Sequence, residues 1–104
     1  YIKIGNQVTV WFYMSATESN ASGNFRVNLP FTSQNVSNYF AVASLTGTGW
    51  AGIGDAQEIH GRLSANATII NLNIVGNMNE VGAVTHANTD TSFLLYGTIT
   101  YKTA

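Results

Sequence analysis

Charge is what this sequence has least of. Lys, Arg, Asp and Glu together make up 9% of the 104 residues, against about 25% in an ordinary domain. A monomer usually stays soluble through surface charge; here Asn, Thr, Ser and Gly stand in its place. Such a surface suits glycan binding or packing of protein against protein. Four basic residues and a net charge of −1 supply no basic patch, which argues against a nucleic-acid partner and against a polybasic membrane anchor. Cysteine is absent, excluding a disulfide framework, a thiolate nucleophile and a Cys-based metal site. Apolar runs fall far short of the ~18 residues a membrane span needs, so neither membrane insertion nor a leader is expected. The chain opens on Tyr1 rather than Met, and the expectation is a processed product or a piece of a longer protein.

What is present suffices for one globular domain, residues 1–104. Hydrophobic residues make up 45% and aromatics 12%, too much for disorder, though a core of this size is thin. The single proline, Pro30, punctuates the most informative stretch. Phe25, Val27 and Leu29 alternate with Asn24, Arg26 and Asn28, the period-two pattern of a strand with one buried face. Pro30 lacks an N–H and restricts Leu29, so the strand stops or reaches a sheet edge there. Phe31 is placed to plug the strand end.

Along the chain, Tyr1–Ile4 predicts a short strand, Gly5-Asn6 a turn and Gln7–Met14 a strong strand. In that strand Val8, Val10, Phe12 and Met14 share one face while Thr9, Trp11 and Tyr13 share the other. Residues 15–23 predict a loop, Tyr39–Leu45 a strand, and the glycine-rich stretch 46–54 around Trp50 a tight or mobile loop. Gln57–Leu63 predicts a strand bulged at Gly61, Ala67–Ile74 an alternating strand, Glu80–Thr85 a short strand and 85–91 a polar loop. Ser92–Lys102 closes the chain with Phe93, Leu95, Ile99 and Tyr101 inward, Leu94 and Tyr96 outward, and a bend at Gly97. Apolar residues nowhere recur at helical spacing. Seven to nine strands with turns about every ten residues predict an all-β fold, an antiparallel β-sandwich of the jelly-roll or Greek-key type. Two strands carry apolar side chains on both faces; the second face could serve a subunit interface, a ligand platform or a covering loop, and the favoured expectation is a subunit interface through Trp11, Tyr13, Leu94 and Tyr96.

Three stretches carry a resemblance. Tyr1-Ile2-Lys3-Ile4-Gly5-Asn6-Gln7-Val8-Thr9-Val10, then Leu29-Pro30-Phe31-Thr32, then Gly97-Thr98-Ile99-Thr100-Tyr101 are similar to the carboxy-terminal β-domains of bacteriophage tail fibres and tailspikes. The motifs cover 1–14, 24–32 and 92–102, and residues 36–90 depart from the pattern. The resemblance implies a virion protein at the phage tail or capsid surface, a homotrimer, other virion proteins as partners, and recognition of host cell-surface polysaccharide. A rival reading of another class is a capsid decoration (cement) protein that clamps the lattice without binding sugar.

Catalytic chemistry is poorly provided for. Glu18, Asp55, Glu58, Glu80 and Asp90 are the only acids, and Asp55 and Glu58, three apart on a strand, point to opposite faces. A glycosidase needs two carboxylates facing across a cleft. His60 and His86 lack a Gly-x-Ser-x-Gly elbow, and His60 with Glu58 makes two metal ligands where three are needed. The expectation is no enzyme, no cofactor and no metal. The sequons at Asn20, Asn35 and Asn66 are inert in a phage protein. For ligand binding, the glycines around Trp50 suggest an indole presented outward for stacking on a sugar, with Asp55 and Asn88 as hydrogen-bonding helpers.

Overall fold

The computed structural model describes residues 1–17, 22–50, 57–77 and 79–104, with the backbone alone at 89–91. The strands are β1 (Ile2–Ile4), β2 (Gln7–Thr17), β3 (Arg26–Asn28), β4 (Phe40–Trp50), β5 (Gln57–Ser64), β6 (Ile69–Gly76), β7 (Asn79–Ala83) and β8 (Thr89–Lys102). One 3-10 turn, His86–Asn88, precedes β8. The fold is all-β, as the alternating pattern predicts, and every strand pairing is antiparallel.

The eight strands form one curled sheet in the order β1-β2-β8-β4-β5-β6-β3, with β7 also on β6. The curl is made on β4. Its first part, Phe40 to Ala43, pairs with β5; from Ser44 onward it pairs with β8. The strand thus hands over from one half of the sheet to the other, and the two inner faces share one core. Val8, Leu95, Ile99 and Tyr101 from the β2/β8 half join Leu63, Ile70, Leu72, Ala41 and Ala43 from the other. Leu45 stands at the corner and fills the hollows left by two glycines. A methyl group at Gly97 would stand 2.8 Å from Leu45 Cδ2, and one at Gly61 would stand 3.3 Å from Leu45 Cδ1. Both glycines therefore serve close packing. The bulge expected at Gly61 is not found, since Gly61 keeps register with Ala43 and Leu72; the ladder also runs unbroken through Gly97, paired with Phe12 and Leu45.

The Leu29-Pro30-Phe31-Thr32 stretch is a strap. β3 pairs only with β6 and is a sheet edge, where a following proline costs no ladder hydrogen bond. Past Leu29, buried to 8% exposure, the chain crosses to the end of β8. The Tyr101 hydroxyl donates to the Phe31 carbonyl at 2.9 Å, and the Phe31 ring meets Tyr1 edge-on at 5.2 Å with the Lys3 ammonium 4.8 Å from its centroid. Ser33, buried, donates to the Ser64 carbonyl and accepts from the Ala67 N–H. The stretches 1–10, 29–32 and 97–101 thus meet around Phe31.

Three boundaries differ from the sequence expectation by three residues or more. β2 runs on to Thr17 because it is laddered with β8 along its whole length, to the Thr17–Ser92 pair. β8 begins at Thr89, ahead of the polar loop's expected end. β4 continues through the glycines to Trp50, because those glycines allow β8 to lie close. A side chain at Gly47 would collide with the Leu94 carbonyl and come within 2.7 Å of the Trp50 Nε1.

Candidate functional site

The outward side of the β1-β2-β8-β4 half is the most distinctive surface. Antiparallel partners point the same way, so the pairings assemble it row by row. Ile2 lies beside Thr9 and Thr100, Trp11 beside Thr98 and Ser44, Tyr13 beside Tyr96 and Thr46, and Ser15 beside Leu94 and Thr48. Lys102, opposite Gln7 at one end, is the only charged side chain in these rows. The Tyr13 and Tyr96 rings stack at 6.3 Å with 27° between planes, and the Thr9 and Thr100 hydroxyls hydrogen-bond at 2.9 Å. Tyr13 remains 71% exposed and Trp11 56%. A shallow groove of about 510 Å³ runs among Trp11, Tyr13, Thr46, Tyr96 and Thr98.

The structure brings together the four residues expected at an interface: Trp11, Tyr13, Leu94 and Tyr96 share this face. Sequence reasoning missed its margins. Ile2 and Ile4 on β1, and Phe40 and Val42 on β4, are also exposed and lie on the same side of their strands as the central residues. The alternation in Phe40-Ala41-Val42-Ala43 was a legible signal. Which of its faces looks outward is set by the pairing of β4 with β8.

The ligand-binding candidates are placed differently. Trp50 does not display its ring. The register shift between Thr48 and Trp50, with Gly49 at φ 80°, turns the indole from the outward side into an aromatic cluster. It lies 5.4 Å from Phe25 and 5.4 Å from Phe93, and its N–H donates to the Leu94 carbonyl at 3.1 Å. The outward presentation expected from the glycines is corrected by this bulge. One edge of Trp50 still lines a cleft of about 510 Å³ with Thr46, Gln57, Glu58 and Ile59, where β4 and β5 part company. Asn88 comes near, since Trp50 pairs with Thr89. Its carboxamide oxygen accepts from the Thr85 N–H at 3.0 Å and the Thr85 hydroxyl at 3.2 Å, closing the 3-10 turn. Asp55 lies outside the described residues.

Two pairs of titratable groups lie on the surface. His60 Nε2 and Glu58 Oε2 stand 3.1 Å apart, both exposed, and Arg62 donates to Glu80 at 3.0 Å. Among the described residues no three His, Cys, Asp or Glu side chains gather as a metal site. Burial raises the Tyr101 phenol above its ordinary range; its bond to the Phe31 carbonyl opposes that shift. No protein-family model, curated protein or solved structure matches this chain.

Proposed function

We propose that this chain is a structural domain of a bacteriophage virion, similar to those that end tail fibres and tailspikes. In this reading the curled sheet is a sandwich of the jelly-roll or Greek-key type, it associates as a homotrimer, and it performs no catalysis. The observation that supports it best is the meeting of the three phage-like stretches in space. The hairpin β1–β2, the proline strap and the end of β8 pack around Phe31 through Tyr1, Lys3 and Tyr101. A recurring pattern whose members touch one another is a fold-specifying unit, which is how a shared terminal domain would be written in sequence. The uncharged outer face and the scarcity of charge are in keeping with life inside a protein assembly.

Recognition of a host-surface polysaccharide is assigned to the cleft between β4 and β5. Trp50, Thr46, Gln57 and Glu58 supply an aromatic edge and directional hydrogen-bonding groups, the combination that neutral sugars require. The experiment is immunogold electron microscopy of phage particles with antibody raised to this chain. Label at the tail tip is the expected result. Label spread over the capsid lattice would replace this reading with capsid decoration, and absence of label from particles would remove the virion from the proposal.

A further inference from the structure

The outer face of the β1-β2-β8-β4 half holds a larger apolar surface than the fold accounts for. Among the described residues, seven of the ten exposed large apolar side chains lie on that side of the sheet, Phe40 and Val42 at its margin where β4 pairs with β5, beside Arg62. A full aromatic side chain offers about 200 Å². The exposed fractions of Trp11 (56%), Tyr13 (71%), Phe40 (55%) and Tyr96 (43%) therefore come to roughly 450 Å² on that scale. That is already more than half of the ~800 Å² each partner contributes to a stable interface, before Ile2, Ile4 and Val42 are added. Single exposed apolar residues need no explanation, but a patch of this size does.

We infer that this face is where copies of this chain meet, with Tyr13 and Tyr96 as the central anchors. The proposal rests on the oligomeric reading above and supplies its surface. The argument for a copy as occupant is electrostatic. A partner for this face must itself present a broad surface without charge, since an unpaired charge buried against Trp11 or Tyr13 would be strongly unfavourable. The chain provides such a surface in its own second copy, where charge is confined to the margins: Lys102 at one end of the rows, and Arg62, paired with Glu80, beside Val42 and the Phe40 ring. Stacked tyrosines and an exposed tryptophan at the centre are the residue types that dominate association energies. The backbone of β8 at the centre of the face is laddered to β2 on one side and β4 on the other, so a partner there meets side chains alone.

The test uses the full chain and two charge substitutions, Tyr13→Arg and Tyr96→Arg, with Val81→Arg on exposed β7 as the control. Sedimentation at micromolar concentration reads the assembly, and far-ultraviolet circular dichroism reads the fold. The expected result is a parent protein that sediments as a multiple of 11.2 kDa. Each tyrosine variant stays folded but associates at least ~30-fold more weakly, a loss of hot-spot size, while Val81→Arg behaves as the parent. Should an arginine variant fail to fold, Tyr13→Ser and Trp11→Ser take its place, with the same loss of association expected. A parent protein that sediments at 11.2 kDa overturns the proposal. So does an oligomer indifferent to the tyrosine substitutions, or a monomer whose Tyr13 face instead binds a neutral polysaccharide. None of these outcomes depends on where the protein sits on a particle, so failure of the virion reading is scored separately by immunogold labelling.

Discussion

Leu29 and Phe31 lie two residues apart around the only proline, and the structure uses them differently. Leu29 is part of the buried core, whereas Phe31 is half-buried and lends its carbonyl to Tyr101 and its ring to Tyr1. Leu29→Ala is expected to cost about 2–4 kcal/mol, the range for emptying a core site. Phe31→Ala should cost less, about 1–3 kcal/mol, because part of the ring already meets water. Chemical denaturation reads both, and equal midpoints for parent and Leu29→Ala would show that the strap is not held by its leucine. Tyr101 carries a pH signature. Burial raises its phenol, so the folded chain keeps a proton that the unfolded chain releases near pH ~10. That contribution is complete below about pH 10 and is lost as pH climbs beyond it. Tyr101→Phe should be less stable than the parent by about 1 kcal/mol at neutral pH, the worth of the hydrogen bond to Phe31. The gap should narrow between about pH 9 and 11 as the parent loses its proton-linked share. A gap that stays constant across that range would contradict the assignment.

Among the strands, β4 and β8 organise the rest, and their glycines are where that organisation is vulnerable. At Gly97 an added methyl group would meet the Ser44 carbonyl, Leu45 Cδ2 at 2.8 Å and the Phe12 ring at 3.1 Å. Backbone and two packed side chains leave nothing to yield, so Gly97→Ala is expected to destabilise by ~3 kcal/mol or more, as overpacking at the corner of a core does. Gly82 on β7 has open space around it and ordinary φ, and Gly82→Ala should change stability by less than ~1 kcal/mol. Thermal melts of the two variants check the contrast; similar melting temperatures would mean that β4 and β8 do not lie as close as described.

The molecule as a whole has a thin core and a large uncharged outer face, which ties its stability to association. If copies share that face, the melting temperature should rise with protein concentration, since unfolding then opposes a mass-action term. A tenfold increase in concentration that leaves the melt unmoved would separate stability from assembly. The melt should be indifferent to a metal chelator, because His60, Glu58 and Glu80 stand in exposed pairs and His86 packs on the Phe25 ring; a fall on adding EDTA would point to ligands gathered across a subunit boundary.

The period-two alternation was enough to establish strands and their inward residues, and no α-helix is found among the described residues. Val8, Leu95, Ile99, Tyr101, Ile70 and Leu72 are buried as their spacing predicts, because a strand's side chains must alternate whatever it pairs with. The outward apolar residues Trp11, Tyr13, Leu94 and Tyr96 were legible for the same reason, being the wrong residues for a wet face. Pairing was not legible. Nothing local says that β4 leaves β5 at Ala43 and joins β8 at Ser44, that Ile2, Ile4, Phe40 and Val42 extend the aromatic face, or that a bulge at Gly49 turns Trp50 inward. Those outcomes depend on which strands lie side by side, and that is decided by contacts between residues far apart in the chain. Glycine shows the difference most plainly: in sequence Gly47, Gly61 and Gly97 read as points of freedom, and in the fold each is a place where a neighbouring strand or side chain has taken the room.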